Sequence, residues 1–290
     1  MEDGDFRRRP PLRTFFQHDK RGIGLTTVHT LASGSSGNAM LLTCGQTRLL
    51  VDAGISCRRI TASLRTLELS PEDLDAVLIT HAHTDHIAGL QTLLKHITCP
   101  VLATEQTCRQ LDYRIAGFFG RLLPVELCAC TQIGEVRITP FPISHDIAGA
   151  CGFRFDTEHG SVGLLTDTGY VTEDAARILP GVDLAVLEAN YDEESLCSGS
   201  YPYYLKQRIL GCEGHLRNED AARFAVTLAE SGTSEILLVH LSQENNTPVM
   251  AQNAVALALS AAGLSPAISV APRDHISPPH HVTRRGVCRK

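Results

Sequence analysis

No stretch of the 290-residue chain is apolar for the roughly 18–20 residues that a membrane span needs, so a helical membrane protein is excluded as a reading. The first 21 residues, "MEDGDFRRRPPLRTFFQHDKR", hold Arg and Pro but no apolar core, and no secretory signal is read there. The ten cysteines include a C-x-C at Cys128 and Cys130 but no C-x-x-C, which argues against a zinc ribbon. They are expected as reduced thiols of a cytosolic protein, most of them small core residues. Basic charge is scarce where it would matter. Residues 1–21 carry six Lys/Arg against four acids, and the segment from Pro272 carries five against one. Gly22 to Ala271 is left with 15 basic and 27 acidic residues, a net of −12. Such a core is no generic polyanion binder, and a nucleic acid would have to be held locally by metal ions and a few placed groups.

What is present is an ordinary globular composition, 43% hydrophobic, long enough for one large core or two small ones. The first half alternates strand-like runs with turns: 26–32, 39–44, 48–54 and 75–80, separated by "SGSSGN" and "GQT". Ser56 is positioned to cap a helix through about Leu67, and "IAGLQTLLKHI" reads as another helix before the strand "PVLAT". The second half repeats the grammar. Its strands are "EVRITPFPI", "CGFRFDT", "SVGLLTDTG", "DLAVLEAN", "EILLVHLS" and "AISVA", and its helices are "EDAARILPG", "YPYYLKQRILG", "NEDAARFAVTLAESG" and "TPVMAQNAVALALSAAG". Asn218 is read as an N-cap and Thr247 as another, with Pro248 in the first turn. This order predicts a single layered α/β domain over 23–271. A basic leader (1–22) and a flexible tail (272–290) are expected to flank it.

The stretch "ITHAHTDHIAG" places His81, His83, Asp85 and His86 within six residues, directly after an apolar strand. In an extended segment residues i and i+2 share a side, so His81 and His83 can grip one ion, while Asp85 and His86 face a second. His145 in "FPISHD", Asp167 in "LLTDTGY" and His240 in "LLVHLS" each end a later apolar strand and can reach the same sheet edge. Asp167 suits a bridging role because a carboxylate has two oxygens. His and Asp ligation favours two divalent ions, zinc or manganese, with iron a further candidate. Asp52, ending "RLLVDAG", is expected to orient a ligand from behind.

In this order, Asp52, the 81–86 cluster, His145, Asp167 and His240 resemble the five motifs of the metallo-β-lactamase fold superfamily. The resemblance runs from about Leu25 to Ala271. It implies a four-layer αββα sandwich with a two-metal site at one edge. His81, His83 and His145 would hold one ion; Asp85, His86 and His240 would hold the other; and Asp167 would lie between them. "SGSSGN", "SHD", "TDTGY", "LEANYDEE", "YPYYLKQRILGCEGHLRN" and "HLSQENN" resemble the YycJ/WalJ-like branch, a group regarded as exonucleases. Glu188, in "LEANYDEE", is taken as a carboxylate behind the ligands. Two positions depart from the branch pattern: Tyr191 stands where a histidine is expected, and Arg217 where a serine is expected. Asp167 and His240 are 73 residues apart, too close for the inserted domain of β-CASP nucleases. His83 stands where diiron flavoprotein relatives carry Glu, which disfavours oxygen reduction.

A two-metal edge suits hydrolysis, because paired ions lower the pKa of a shared water and neutralise charge on the attacked group. The expected activity is therefore phosphodiester cleavage, with DNA the favoured substrate and a homodimer compatible with the sequence. Asp85 and His215 are the catalytic candidates, with His215 as proton donor to the leaving oxygen. Helix starts near Arg217, Asn218, Ser242 and Asn245, and the loop carrying Ser35, Ser36 and Asn38, are candidate phosphate contacts. Two rivals stand beside this reading: a hydrolase of thioesters, lactones or small cyclic phosphodiesters, favoured by the acidic core, and a binding protein that keeps the fold without the chemistry.

Overall fold

The computed structural model describes residues 25–284, and the basic leader expected over 1–22 lies outside them. The first half contains β1 (Thr26–Ala32), β2 (Ala39–Cys44), β3 (Thr47–Val51), α1 (Cys57–Thr66), β4 (Ala76–Leu78), α2 (Thr84–Ile87), α3 (Leu90–Leu93), β5 (Val101–Thr104), α4 (Glu105–Arg114) and β6 (Leu122–Val125). The second contains β7 (Thr131–Ile133), β8 (Val136–Pro142), β9 (Cys151–Asp156), β10 (Ser161–Leu165), α5 (Glu173–Ile178), β11 (Leu184–Glu188), α6 (Glu193–Ser198), α7 (Tyr203–Leu210), α8 (Asn218–Glu230), β12 (Glu235–Val239), α9 (Pro248–Ala261), β13 (Ala267–Val270) and β14 (His280–Val282). Among these residues no helix is long and apolar enough to cross a membrane.

The strands make two seven-stranded sheets, ordered β14-β1-β2-β3-β4-β5-β6 and β13-β12-β11-β10-β9-β8-β7. Side chains along a strand alternate between faces, and here both faces are buried. In β3, Leu49 and Val51 point between the sheets while Leu50 points outward. In β11, Leu184 and Val186 point between the sheets while Ala185 and Leu187 point outward. The outward face of the first sheet is covered by Ile60 and Leu64 of α1, Leu90 and Leu93 of α3, and Leu111 of α4. That of the second is covered by Phe224 and Leu228 of α8 and Val255 and Leu259 of α9. Three apolar layers between four structural layers make the expected αββα sandwich.

Local chemistry sets the helix ends. Ser56 Oγ accepts the Arg59 N–H at 3.4 Å to start α1, and Thr247 Oγ1 accepts the Met250 N–H at 3.1 Å to start α9 ahead of Pro248. The cap of α8 differs from expectation. Arg217 occupies it without a side-chain cap bond, and Asn218 is the first helical residue. The helix expected over 87–97 is also broken. The Gly89 N–H donates to Ala53 O at 2.8 Å instead of continuing the helical ladder. A Cβ at Gly89 would lie 2.1 Å from Ile55 O, so the backbone approach that breaks the helix requires glycine.

Of the segment expected as a flexible tail (272–290), residues 272–284 are instead built into the fold, and 285–290 lie outside the described residues. β14 adds to the edge of the first sheet, antiparallel to β1, with Thr26 opposite Val282. The same segment reaches the second sheet. His280 Nδ1 lies 2.5 Å from Glu235 Oε1, and the Arg284 N–H donates to His159 O at 2.6 Å. Val282 is 2% exposed and belongs to the apolar layer between the sheets. Val282→Asp, which buries an unpaired charge there, is expected to cost roughly 3 kcal/mol or more in denaturant unfolding. A change at the neighbouring exposed His281 should cost little. Equal, small effects would show that the strand is not part of the core.

Candidate metal centre

In the first sheet β3 to β6 run parallel, and in the second β10 to β13 run parallel. The carboxyl ends of β3, β4, β10, β11 and β12 meet at one edge of the sandwich, as binding residues commonly do in α/β folds. Asp52 follows β3, the 81–86 cluster follows β4, Asp167 follows β10, Glu188 ends β11 and His240 follows β12. His145 comes to the same edge after β8.

The backbone turns abruptly at three of these points. Asp52, Asp167 and His240 have φ of 61°, 56° and 56°, in the left-handed region that non-glycine residues seldom enter. Such strain is characteristic of sites where the surrounding fold overrides local preference. The two loops carrying the first-sheet residues also approach closely. A Cβ at Gly54 would lie 1.6 Å from Asp85 O, so only glycine lets the 52–55 turn lie against the cluster.

Each of the five cluster histidines has one ring nitrogen occupied by a partner outside the cluster. His81 Nδ1 lies 3.0 Å from Thr80 Oγ1, His83 Nε2 3.4 Å from Asp146 Oδ1, and His86 Nδ1 2.8 Å from Asp52 Oδ2. His145 Nδ1 donates to Gly214 O at 3.3 Å, and His240 Nδ1 lies 2.9 Å from Glu188 Oε1. The second nitrogen of each ring is therefore the one left to face inward. His83 Nδ1 and His145 Nε2 are 3.1 Å apart, and His86 Nε2 is 3.1 Å from Asp167 Oδ2 and 3.5 Å from Asp85 Oδ2. His81 Nε2 is buried with no hydrogen-bond partner, and His240 Nε2, also buried, has only Asp85 Oδ2 near it at 3.5 Å. Buried polar atoms are rarely left unpaired, and an imidazole lone pair aimed at a ligand set is what a metal ion would satisfy.

Among the described residues three groups have donor atoms within 4.8 Å of one another, and two of them share no residue: His81, His83 and His145; and Asp85, His86, Asp167 and His240. A third combination, Asp167, Glu188, His215 and His240, overlaps the second. The residues thus fit divalent ions by donor chemistry, by orientation and by the unpartnered Nε2 of His81. The two groups differ in charge. Burial pushes His81 well below its ordinary value, and burial together with neighbouring imidazoles lowers His83. Burial also lowers His145, against the pull of Asp167. In the second group burial opposes the charged form of His86, but Asp167 and Asp52 outweigh it and hold the ring well above its ordinary value. Burial likewise opposes a charged His240, yet Asp167, Asp85 and Glu188 raise it to about 10. Burial pushes Asp167 and Asp85 up, but the adjacent histidines prevail and hold both well below the usual carboxylate range.

The candidate phosphate contacts divide. Ser35 and Ser36 are exposed, and Asn38 lies at the cluster with its Nδ2 3.1 Å from His86 Nε2. Arg217 is committed elsewhere, its Nη1 2.5 Å from Glu193 Oε2 and its Nε 2.6 Å from Asp220 Oδ2. Asn218 is buried and pairs reciprocally with Asn246, while Ser242 Oγ accepts the Asn245 N–H. Through these bonds Arg217, Asn218, Ser242 and Asn245 brace the loops around the site. Tyr191, where the branch pattern has histidine, is 4% exposed, and burial pushes its phenol up to about 12.

Sequence reasoning missed several contributors. Thr80 donates to both oxygens of Asp52, and Ser33 Oγ accepts the His240 N–H at 2.8 Å. Asn190 Nδ2 donates to His240 O at 2.7 Å, and Asp146 meets both His83 and Arg208. All four lie in stretches quoted above, "ITHAHTDHIAG", "SGSSGN", "LEANYDEE" and "SHD", but nothing in those stretches singles out their contacts with the ligands.

A beta-lactamase superfamily domain model matches residues 47–241. The chain belongs to the beta-lactamase superfamily. Within this superfamily it is 40% identical over 239 residues to exodeoxyribonuclease WalJ of Streptococcus pneumoniae serotype 2, covering 81% of this chain and 88% of that one. It is 35% identical to exodeoxyribonuclease YycJ of Bacillus anthracis, covering 80% and 89%. The crystal structure of the metallo-beta-lactamase fold protein YhfI from Bacillus subtilis aligns with a TM-score of 0.67 at 18% identity, over 88% of this chain and 99% of that one. This fold implies binding of divalent metal.

Metal uptake is expected to displace protons from His86 and His240, so apparent affinity should rise with pH. Zinc titrations against a chelator at pH 6.5 and 8.5, with proton release recorded, measure this; pH-independent uptake without released protons would contradict it. Without metal the sign reverses for stability. The His240 pKa is raised from 6.5 to about 10, so its contribution is full below 6.5 and lost as pH rises toward 10.

Proposed function

We infer that the protein is a dinuclear metal-dependent phosphodiesterase that acts on DNA as an exonuclease. The observation that carries this reading is Asp167. Its Oδ2 faces His86 Nε2 at 3.1 Å and its Oδ1 faces His145 Nε2 at 3.9 Å, so one carboxylate addresses both ligand groups. His81, His83 and His145 would hold one ion, and Asp85, His86 and His240 the other. Zinc or manganese suits this donor set, with iron a further candidate. Bound there, two ions supply Lewis acidity and a water activated at neutral pH. The similarity to WalJ and YycJ, both exodeoxyribonucleases and each covered over nearly nine-tenths of its length, points to DNA as the substrate.

The chain's own residues do the rest. Asp52, Glu188, Asp146, Thr80 and Gly214 O fix the tautomer and direction of the five rings, so the site is assembled before substrate arrives. His215 is half-buried, its Nδ1 2.9 Å from Glu188 Oε1. With Nδ1 occupied, Nε2 is the nitrogen left to deliver a proton to the departing oxygen. Glu188 Oε2 accepts the Thr168 N–H at 2.9 Å and the Leu216 N–H at 3.3 Å, which locks the carboxylate that orients both His215 and His240.

Purified protein loaded with manganese or zinc is expected to shorten end-labelled DNA stepwise, and His83→Ala to abolish this. His215→Gln should lower kcat roughly 10²- to 10⁴-fold with metal content unchanged. Bis(p-nitrophenyl) phosphate and a thioester run in parallel. Turnover of only these small substrates, with DNA left whole, would replace the exonuclease with a small-molecule hydrolase.

A further inference from the structure

The helix α7 serves no core. None of its residues is buried, and Tyr203 and Tyr204 are 77% and 74% exposed. The protein has six tyrosines, and "YPYY" places three of them in four residues. A solvated helix with large aromatic rings on its surface calls for an occupant. The helix is also held against the metal centre. The His215 N–H donates to Ile209 O at 3.1 Å, Ser144 Oγ donates to Cys212 O at 2.8 Å, and Arg208 Nε donates to Asp146 Oδ2 at 2.5 Å. The loop that carries Asp167 leans on its end: a Cβ at Gly169 would lie 2.1 Å from Cys212 O, and Tyr170 beside it is 50% exposed.

Its charge differs from the rest of the domain. From Gly199 to Cys212 there is no acidic residue, while Lys206 and Arg208 supply two positive charges in a core whose net charge is −12. Tyr204 and Arg208 are four residues apart and so share a face of α7, about 6 Å apart along its axis. Arg208 marks the end of that face at the metal centre, through Asp146 and His83. A ring one helical turn out from a guanidinium beside the cutting site matches a polymer with alternating phosphates and flat bases.

We propose that α7 is the platform on which a single-stranded end of the DNA lies as it enters the metal centre. Tyr204 stacks on a base, and Arg208 faces a backbone phosphate. Base–aromatic stacking with a cationic neighbour is how sequence-tolerant single-strand sites gain affinity, and it lets a strongly acidic domain handle a polyanion. The proposal rests on the exonuclease reading and names how that substrate is held.

The test compares wild type, Tyr204→Ala and Tyr204→Phe, all metal-loaded, on a labelled single-stranded oligonucleotide and on bis(p-nitrophenyl) phosphate. Tyr204→Ala should raise KM for the oligonucleotide about tenfold with kcat within about twofold, and Tyr204→Phe should restore it. Turnover of the small diester reports the metal centre alone and controls for folding. An Ala variant that digests the oligonucleotide with wild-type KM, or a Phe variant as weak as Ala, overturns the platform while leaving the exonuclease standing. Wild type that cleaves the small diester but not DNA overturns the exonuclease itself, and the platform with it.

Discussion

A carboxylate taken almost wholly out of water organises this molecule's working edge. Asp167 is 1% exposed, and an isolated buried charge would cost several kcal/mol. The structure answers it with imidazoles on several sides: His86, His145, His215 and His240 each place a ring nitrogen within 3.9 Å of its oxygens. Those rings need their own partners, and Asp52, Glu188 and Gly214 O provide them. Those partners in turn depend on the strand ends that carry them. The left-handed turns at Asp52, Asp167 and His240 bring three strands' last side chains to a common point. Remove the central charge and the surrounding histidines lose their reason to be protonated or metal-bound.

The layered α/β architecture is legible because period-two burial and turn chemistry are local signals. "RLLVDAG" and "DLAVLEAN" read as strands buried on both faces, and the alternation of Leu49, Leu50 and Val51 between two apolar layers gives the physical reason. The seven candidate ligands are legible for a related reason. Metal-binding side chains placed just after apolar strands announce a shared edge, and the structure gathers all seven there. What is not legible is the supporting cast. Ser33 meets His240 across 207 residues of chain, and although it opens "SGSSGN", nothing local says that its hydroxyl serves the His240 backbone. Nor does the sequence show that Arg217, a basic residue near a helix start, has Glu193 and Asp220 as ion-pair partners.

The boundaries missed in the sequence share a cause. The 87–97 run has helical periodicity, but a tertiary hydrogen bond from Gly89 to Ala53 diverts the backbone. Propensity loses where the fold gains more from joining two loops than from one more helical turn. The segment after Pro272 has a polar, proline-bearing composition that reads as a tail. Its pairing with β1 comes from an open sheet edge that only the assembled fold presents.

That late pairing has a kinetic side. Thr27 and His281 face each other although 254 residues separate them, so β1 gains this neighbour only after the other strands of both sheets have been made. Long-range closure of this kind is slow, because the chain entropy is lost before the contact rewards it. Until residues 280–282 pair with it, this edge of β1 can accept strands of other chains. The short strand that closes it therefore removes an edge open to aggregation as well as completing a sheet.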